Sequence, residues 1–181
     1  MRVITGTARG RRLKEPVGMD IRPTTDNVKE AIFSIIQFDI EGRRVLDLFA
    51  GTGQLGIECL SRGAKSVTFV DQSREAIKLV RENLAHCQME GEVVQADSIG
   101  FIGRNGKYDV ILIDPPYDSD LMDKALEKIA AFDILNDGGI IVCEGRLDKT
   151  VQDLPAPYYV VKERKYGKIK VTICGKREEE A

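Results

Sequence analysis

Arg44-Val45-Leu46-Asp47-Leu48-Phe49-Ala50-Gly51-Thr52-Gly53-Gln54-Leu55-Gly56 is the stretch whose reading decides the fold. Val45 to Phe49 is a near-continuous apolar run, the pattern of a strand buried on both faces. It stops at glycines, and the segment behind them reads as a helix to Arg62, closed by Gly63 at the C-terminal cap position. The alternation then continues. Ser66 to Val70 is a strand ending at Asp71, followed by a helix capped by Ser73 that carries Ala76, Ile77, Val80 and Leu84. Glu92 to Gln95 is a short strand ending near Asp97, and Tyr108 to Ile113 is a strand ending at Asp114. A helix over Leu121 to Phe132 and a fifth strand over Gly138 to Glu144 complete the series. Strands separated by helices predict an α/β domain with a parallel sheet covered on both faces.

The rhythm breaks at both ends. Tyr158 to Arg164 and Lys168 to Cys174 are strand-like with only Tyr166-Gly167 near their junction, which predicts an antiparallel hairpin on the sheet edge. Residues 1–15 read as another hairpin, Arg2 to Gly6 against Arg11 to Leu13. Pro16, Gly18 and Pro23 mark an irregular connection. Thr24, Thr25 and Asp26 then offer N-caps to a helix whose stripe is Val28, Ala31, Ile32, Ile35 and Ile36. Residues 1–40 are therefore expected as an extension appended to a main domain at 41–181.

Composition removes several classes of function. With 181 residues, 43% hydrophobic and 31% charged, the chain is an ordinary globular protein with a sizeable core. Its apolar runs, such as Val110 to Ile113, fall far short of the ~20 residues that span a bilayer. The opening Met-Arg-Val-Ile-Thr-Gly has no apolar signal region, so a soluble cytoplasmic protein without a membrane partner is expected. Cys59, Cys87, Cys143 and Cys174 form no Cys-x-x-Cys pair, and His86 is the one histidine. Neither a disulfide scaffold nor a metal site nor a histidine-dependent nucleophile is expected. The net charge is −2, yet Arg2, Arg9, Arg11, Arg12 and Lys14 crowd the first residues, and Lys162, Arg164, Lys165, Lys168 and Lys170 crowd the last hairpin. Two basic ends on an acidic body suggest a localised patch for a polyanion, with solvated hairpins as the plainer reading.

In open α/β sheets, ligands bind beyond the carboxyl ends of the strands. Those ends carry Gly51 and Gly53, Asp71 with Gln72 and Ser73, Asp97 with Ser98, and Asp114. The glycines admit close approach of backbone to a ligand, Asp71 is placed to accept from ribose hydroxyls, and Asp97 with Ser98 to take an adenine amine. Together they describe a nucleoside pocket. Gly51, Gly53 and Gly56 also match the dinucleotide pattern, but Asp47 inside the strand would repel a pyrophosphate and suits an ammonium. That points to S-adenosyl-L-methionine, with Asp47 facing its amino group.

Asp114-Pro115-Pro116-Tyr117 follows the strand Val110 to Ile113 directly. Its prolines hold the backbone extended, so the aspartate and a proline-segment carbonyl can both accept from a planar exocyclic amine. Tyr117 offers a stacking face for the base. Two acceptors favour a pyramidal nitrogen whose lone pair meets the sulfonium methyl, and in-line proximity supplies much of the rate.

With these residues in view, the sequence resembles the RsmD-type 16S ribosomal RNA guanine-N2 methyltransferase family. The resemblance rests on Arg9-Gly10-Arg11-Arg12-Leu13, on Arg22-Pro23-Thr24-Thr25-Asp26 running into Lys29-Glu30-Ala31, and on Asp47 to Gly53. Asp114 to Tyr117 and Lys165-Tyr166-Gly167 complete it. It implies a Rossmann-like seven-stranded methyltransferase sheet ending in an antiparallel hairpin, and methyl transfer to N2 of a guanine in small-subunit ribosomal RNA, position 966 in that family. It further implies that Phe49, Gly51 and Gly53 line the cofactor, Asp71 holds its ribose and Asp97 its adenine, and Asp114 to Tyr117 hold the guanine. Arg9, Arg11, Arg12, Lys14, Arg22, Thr24, Lys165 and Tyr166 would meet the RNA, free or in an assembling small subunit, with the enzyme acting as a monomer without metal. Gln54, where a small residue is expected, and Asp71, in place of the commoner glutamate, depart from the family pattern. An adenine-N6 methyltransferase of DNA or RNA and a non-catalytic nucleotide-binding module remain the alternatives.

Overall fold

A computed structural model describes residues 1–18, 25–104, 106–117, 119–151 and 153–178. Arg22 and Thr24 lie outside the described residues. The chain order is α1 (Asp26–Ile36), β1 (Arg44–Asp47), α2 (Gln54–Ser61), β2 (Ser66–Asp71), α3 (Arg74–His86) and β3 (Glu92–Gln95). It continues with α4 (Ser98–Phe101), β4 (Tyr108–Ile113), α5 (Leu121–Phe132), β5 (Leu135–Arg146), β6 (Tyr158–Tyr166) and β7 (Ile169–Lys176).

The strands form a seven-stranded sheet in the order β3-β2-β1-β4-β5-β7-β6. β1 to β5 pair in parallel, and β7 runs antiparallel to both β5 and β6. This is the expected Rossmann-like α/β sheet with its terminal hairpin. The inner strands alternate their apolar side chains between two core clusters. Val45, Val110, Leu112 and Val142 meet α1, α2 and α3 on one face. Leu46, Ile111, Ile113 and Cys143 meet α4 and α5 on the other.

Three departures from the sequence reading have physical causes. The first 15 residues close through a single antiparallel bridge, Arg2 with Arg12, and not as a hairpin of two strands. Their backbone is satisfied elsewhere: the Ile4 and Thr5 amides donate to the buried Glu58 carboxylate at 2.9 and 3.0 Å. Val3, Ala8 and Leu13 are buried in the same cluster as α1 and the sheet, so the described N-terminal segment shares that core. In α1, Lys29 and Phe33 are buried where the stripe reading expected Ala31 and Ile35. The Lys29 ammonium is admitted because the Arg2 carbonyl accepts from it at 2.6 Å and Glu58 lies 3.9 Å away. Finally, the one-turn helix α4 was not anticipated. It is short enough to leave no periodicity, and Asp97 caps it by accepting from the Gly100 amide at 2.7 Å.

Candidate active site

The strand order reverses between β1 and β4, so the crevice at their carboxyl ends is where the fold places ligands. The Leu48 amide still donates to the Leu112 carbonyl at 3.1 Å, one residue beyond β1, and the chain then turns. Ala50 N–H is held by the Val70 carbonyl at 2.9 Å and Gly53 N–H by the Ala50 carbonyl at 2.7 Å. Gly51 has φ +57°, and a Cβ there would meet nothing within 4 Å. The crest of the loop thus faces open space in a conformation that favours glycine.

Asp71 fastens that loop to β2. One carboxylate oxygen accepts from the Gly51 amide at 3.0 Å and the other from the Ser73 amide at 2.9 Å. The side chain is half-buried, and each oxygen keeps a further lone pair for a hydroxyl donor. Ser73 caps α3 by accepting from Ala76 N–H at 3.2 Å, and exposed Gln72 accepts Gln95 Nε2–H at its carbonyl. Phe49 is half-buried against the second core cluster. Ser98 is buried, and its hydroxyl donates to the Leu48 carbonyl, which ties the end of β3 to the end of β1. Phe49, Gly51, Gly53, Asp71, Gln72, Ser73, Asp97 and Ser98 therefore gather along three adjacent strand ends. The open crest at Gly51, the half-buried Asp71 carboxylate and the Phe49 ring fit an adenosine-bearing ligand.

Asp47 sits at a different depth. It is 2% exposed, and its Oδ2 accepts from the Gly56 amide at 3.0 Å. It thereby caps α2, whose N-cap residue Gly53 has no side chain to do so. Burial pushes its carboxyl up to about 7, with the Gly56 hydrogen bond opposing and the Asp71 charge adding. Gly56 is required at that position because a Cβ would lie 2.3 Å from the Phe69 ring. Asp47 and Gly56 thus lock helix to strand beneath the loop.

β4 runs out at Ile113, and Asp114 stands half-buried at its end. Pro115 is buried, Pro116 exposed and Tyr117 half-buried. Ser119 Oγ donates to the Pro116 carbonyl at 2.7 Å and fixes the turn into α5. Beside this turn runs a shallow open groove, lined by Pro116, Tyr117, Met122, Glu144, Arg146 and Lys149 among others. Lys149 Nζ donates across it to the Ser119 carbonyl at 3.2 Å. The register pairs Ile113 with Cys143, so Asp114 and the buried Glu144 are the next residues along neighbouring strands. Glu144, Arg146 and Lys149 escaped the sequence reading, although the strand-end rule applied to β5 would have found the first two.

Arg9, Arg11, Arg12 and Lys14 are exposed. Arg11 donates to the His86 carbonyl at 3.0 Å, and Lys14 pairs with Glu82 at 3.2 Å. Both contacts are with α3, which packs on β2 and β3. Lys165 is exposed on β6 at the other edge of the sheet, and Tyr166 is half-buried against the first cluster. Arg11 and Lys14 are thus held on the α3 side, while Lys165 is carried by the edge strand β6. Among the described residues, no group of three His, Cys, Asp or Glu comes together to hold a metal, and no helix is long and apolar enough to cross a membrane.

A family model described as Conserved hypothetical protein 95 matches residues 1–175. The chain belongs to this family, the RsmD methyltransferases. It is 33% identical over 173 residues to the Ribosomal RNA small subunit methyltransferase D of Haemophilus influenzae, covering 92% of this chain and 89% of that one. The solved structure of yhhF from Escherichia coli superposes with a TM-score of 0.88 at 28% identity, covering 98% of each chain. The T. thermophilus 16S rRNA N2 G1207 methyltransferase, in complex with AdoMet and guanosine, shares the fold. Its TM-score is 0.72 at 20% identity, over 88% of this chain and 44% of that one. This RsmD-type chain is thus an rRNA methyltransferase.

Proposed function

We propose that the protein transfers a methyl group from S-adenosyl-L-methionine to the exocyclic N2 of a guanine in small-subunit ribosomal RNA, at position 966 in the family's numbering of that RNA. The observation that carries this reading is the Asp114-Pro115-Pro116-Tyr117 turn at the end of β4, in the crevice beside the Gly51 loop on β1. S-adenosyl-L-methionine would supply the activated methyl on its sulfonium. Asp71 accepts from the ribose hydroxyls while it keeps Gly51 in place, Asp97 and Ser98 border the adenine, and Phe49, Gln72 and Ser73 complete the walls. Asp47, buried beneath the loop, supports it by capping α2 through the Gly56 amide and does not reach the crevice.

The target base enters beside Tyr117, whose ring stacks on it once it leaves its helix. Asp114 accepts from the amine. A carbonyl of the Pro115-Pro116 segment is the second acceptor; the Pro116 carbonyl, which already accepts from Ser119, keeps one lone pair. Both draw the nitrogen toward pyramidal geometry and aim its lone pair at the methyl carbon. With the ligand bound, its sulfonium would give up the methyl to that nitrogen, and the amine proton would leave to solvent. Guanine presents N1–H and N2–H donors side by side, which suits a carboxylate that only accepts. Residues 1–40 and the β6–β7 hairpin supply the RNA contacts, through Arg9, Arg11, Arg12, Lys14, Arg22, Thr24, Lys165 and Tyr166, and residues 41–181 hold the chemistry.

The test is Asp114→Ala under single-turnover conditions. The methyl-transfer rate is expected to fall roughly 10²–10³-fold, as for other oriented electrostatic contacts, while calorimetry finds S-adenosylhomocysteine binding unchanged. An unchanged rate would remove the turn from the chemistry.

A further inference from the structure

Asn83 is fully buried in α3, and its amide has three backbone partners from two distant segments. Its Oδ1 accepts from the Lys14 amide at 2.7 Å, and its Nδ2 donates to the Lys14 carbonyl at 3.2 Å and to the Thr52 carbonyl at 2.9 Å. Thr52 lies between Gly51 and Gly53 at the crest of the loop on β1. Lys14 closes the basic stretch that begins at Arg9. One side chain therefore joins the ligand-facing loop to the basic segment.

The neighbouring contacts strengthen the joint. Arg11 donates to the carbonyl of His86, the last residue of α3, where a cation also opposes the negative end of the helix dipole. Lys14 Nζ pairs with Glu82 on the same helix. Thr52 Oγ1 lies 3.5 Å from Met1 Sδ, a second link from the loop to the N-terminal segment. A shift of the segment on binding a polyanion must then move the Lys14 backbone, and through Asn83 the Thr52 carbonyl. An ordered segment, conversely, fixes the loop before a ligand arrives.

We propose that Asn83 is a positioning residue that couples RNA binding at the basic segment to cofactor binding at the Gly51 loop. The inference rests on the functional reading above and adds to it a thermodynamic link between the two sites. Linkage makes that coupling reciprocal: whatever factor RNA adds to cofactor affinity, the cofactor adds to RNA affinity.

The experiment is a binding cycle by calorimetry, with S-adenosylhomocysteine and a short guanine-containing hairpin of ribosomal RNA as the probes. In the wild-type protein the RNA is expected to tighten S-adenosylhomocysteine at least about five-fold. In Asn83→Asp, which keeps an acceptor for Lys14 N–H but loses both donors, the factor is expected to fall toward one while each probe still binds. A purely structural role would weaken both sites and leave their ratio intact, and that result would overturn the proposal. The second measurement needs no variant: adding the RNA to the wild-type protein should slow hydrogen exchange at the Gly51 to Gly53 amides, and unchanged exchange would also count against the coupling. If both probes bind the wild-type protein independently, the coupling fails and the functional reading stands. If neither binds, the functional reading fails with it.

Discussion

The Asp47 carboxyl is worth more to the protein protonated than ionised. Burial holds it at about 7, well above its usual 3.8. A raised acid contributes stability that is fully present below the unfolded value and is lost as pH climbs through the folded one. Asp47→Asn keeps an oxygen for the Gly56 amide and cannot ionise. Thermal melts of the two proteins should therefore diverge in favour of the variant between about pH 4 and pH 7, by on the order of a few kcal/mol. Parallel melting curves across that range would contradict the assignment of burial as the cause. Asp71 behaves differently. It accepts from two backbone amides and faces the crevice, so Asp71→Ala should raise the S-adenosylhomocysteine dissociation constant tenfold or more by calorimetry, at about 1–3 kcal/mol per lost charged hydrogen bond. An unchanged constant would remove it from the site. The sequence displayed Asp71 and Asp114 as strand-end acids. It could not display that Asp71 is tied to Gly51 or that Asp47 is spent on capping α2, because both partners are set by how the helix lands on the sheet.

At the scale of elements, α1 was legible in outline and misjudged in rotation. Its cap and its apolar spacing are local properties, whereas the burial of Lys29 depends on a carbonyl at Arg2 and a carboxylate at Glu58. The same limit hid the corner where α5 passes to β5. Asp133, in a left-handed conformation at the C-cap of α5, accepts from Tyr158 at 2.7 Å and pairs with Lys176 at 2.8 Å. The Lys176 ammonium, then the Tyr158 hydroxyl, hold its carboxyl down at about 2. A lowered acid contributes stability present above its unfolded value of 3.8 and lost as pH falls through about 2. Asp133→Asn tolerates the left-handed backbone and removes only the charge. It should cost about 1 kcal/mol at pH 7, because the carboxylate is 47% exposed and partly screened, and almost nothing near pH 2. Denaturant unfolding at both pH values checks this, and an equal cost at both would point to packing.

Across the whole molecule, the parallel sheet, its switch point and the closing hairpin were readable because continuous apolar runs, glycine turns and strand-end acids repeat in order. The placement of the basic ends was not, because charge in a sequence carries no information about which sheet edge receives it. Arg11 is engaged with α3, so Arg9 and Arg12 are the cleaner probes of RNA contact. Reversing both to Glu should weaken RNA binding and lower the slope of log affinity against log salt by roughly 0.9 per lost phosphate contact, or somewhat less on single strands. Melting temperature should barely change, since exposed charges contribute little to folding. A wild-type slope in the doubly reversed protein would leave this segment a solvated surface.

The most direct measurement is of the product itself. Small-subunit ribosomal RNA lacking this modification is incubated with the protein and methyl-labelled S-adenosyl-L-methionine, then digested to nucleosides and resolved by mass spectrometry. The account predicts label in N2-methylguanosine, at about one methyl per RNA, and a rate of labelling cut roughly 10²–10³-fold by Asp114→Ala. Label in N6-methyladenosine, or none at all from protein that binds S-adenosylhomocysteine, would contradict it.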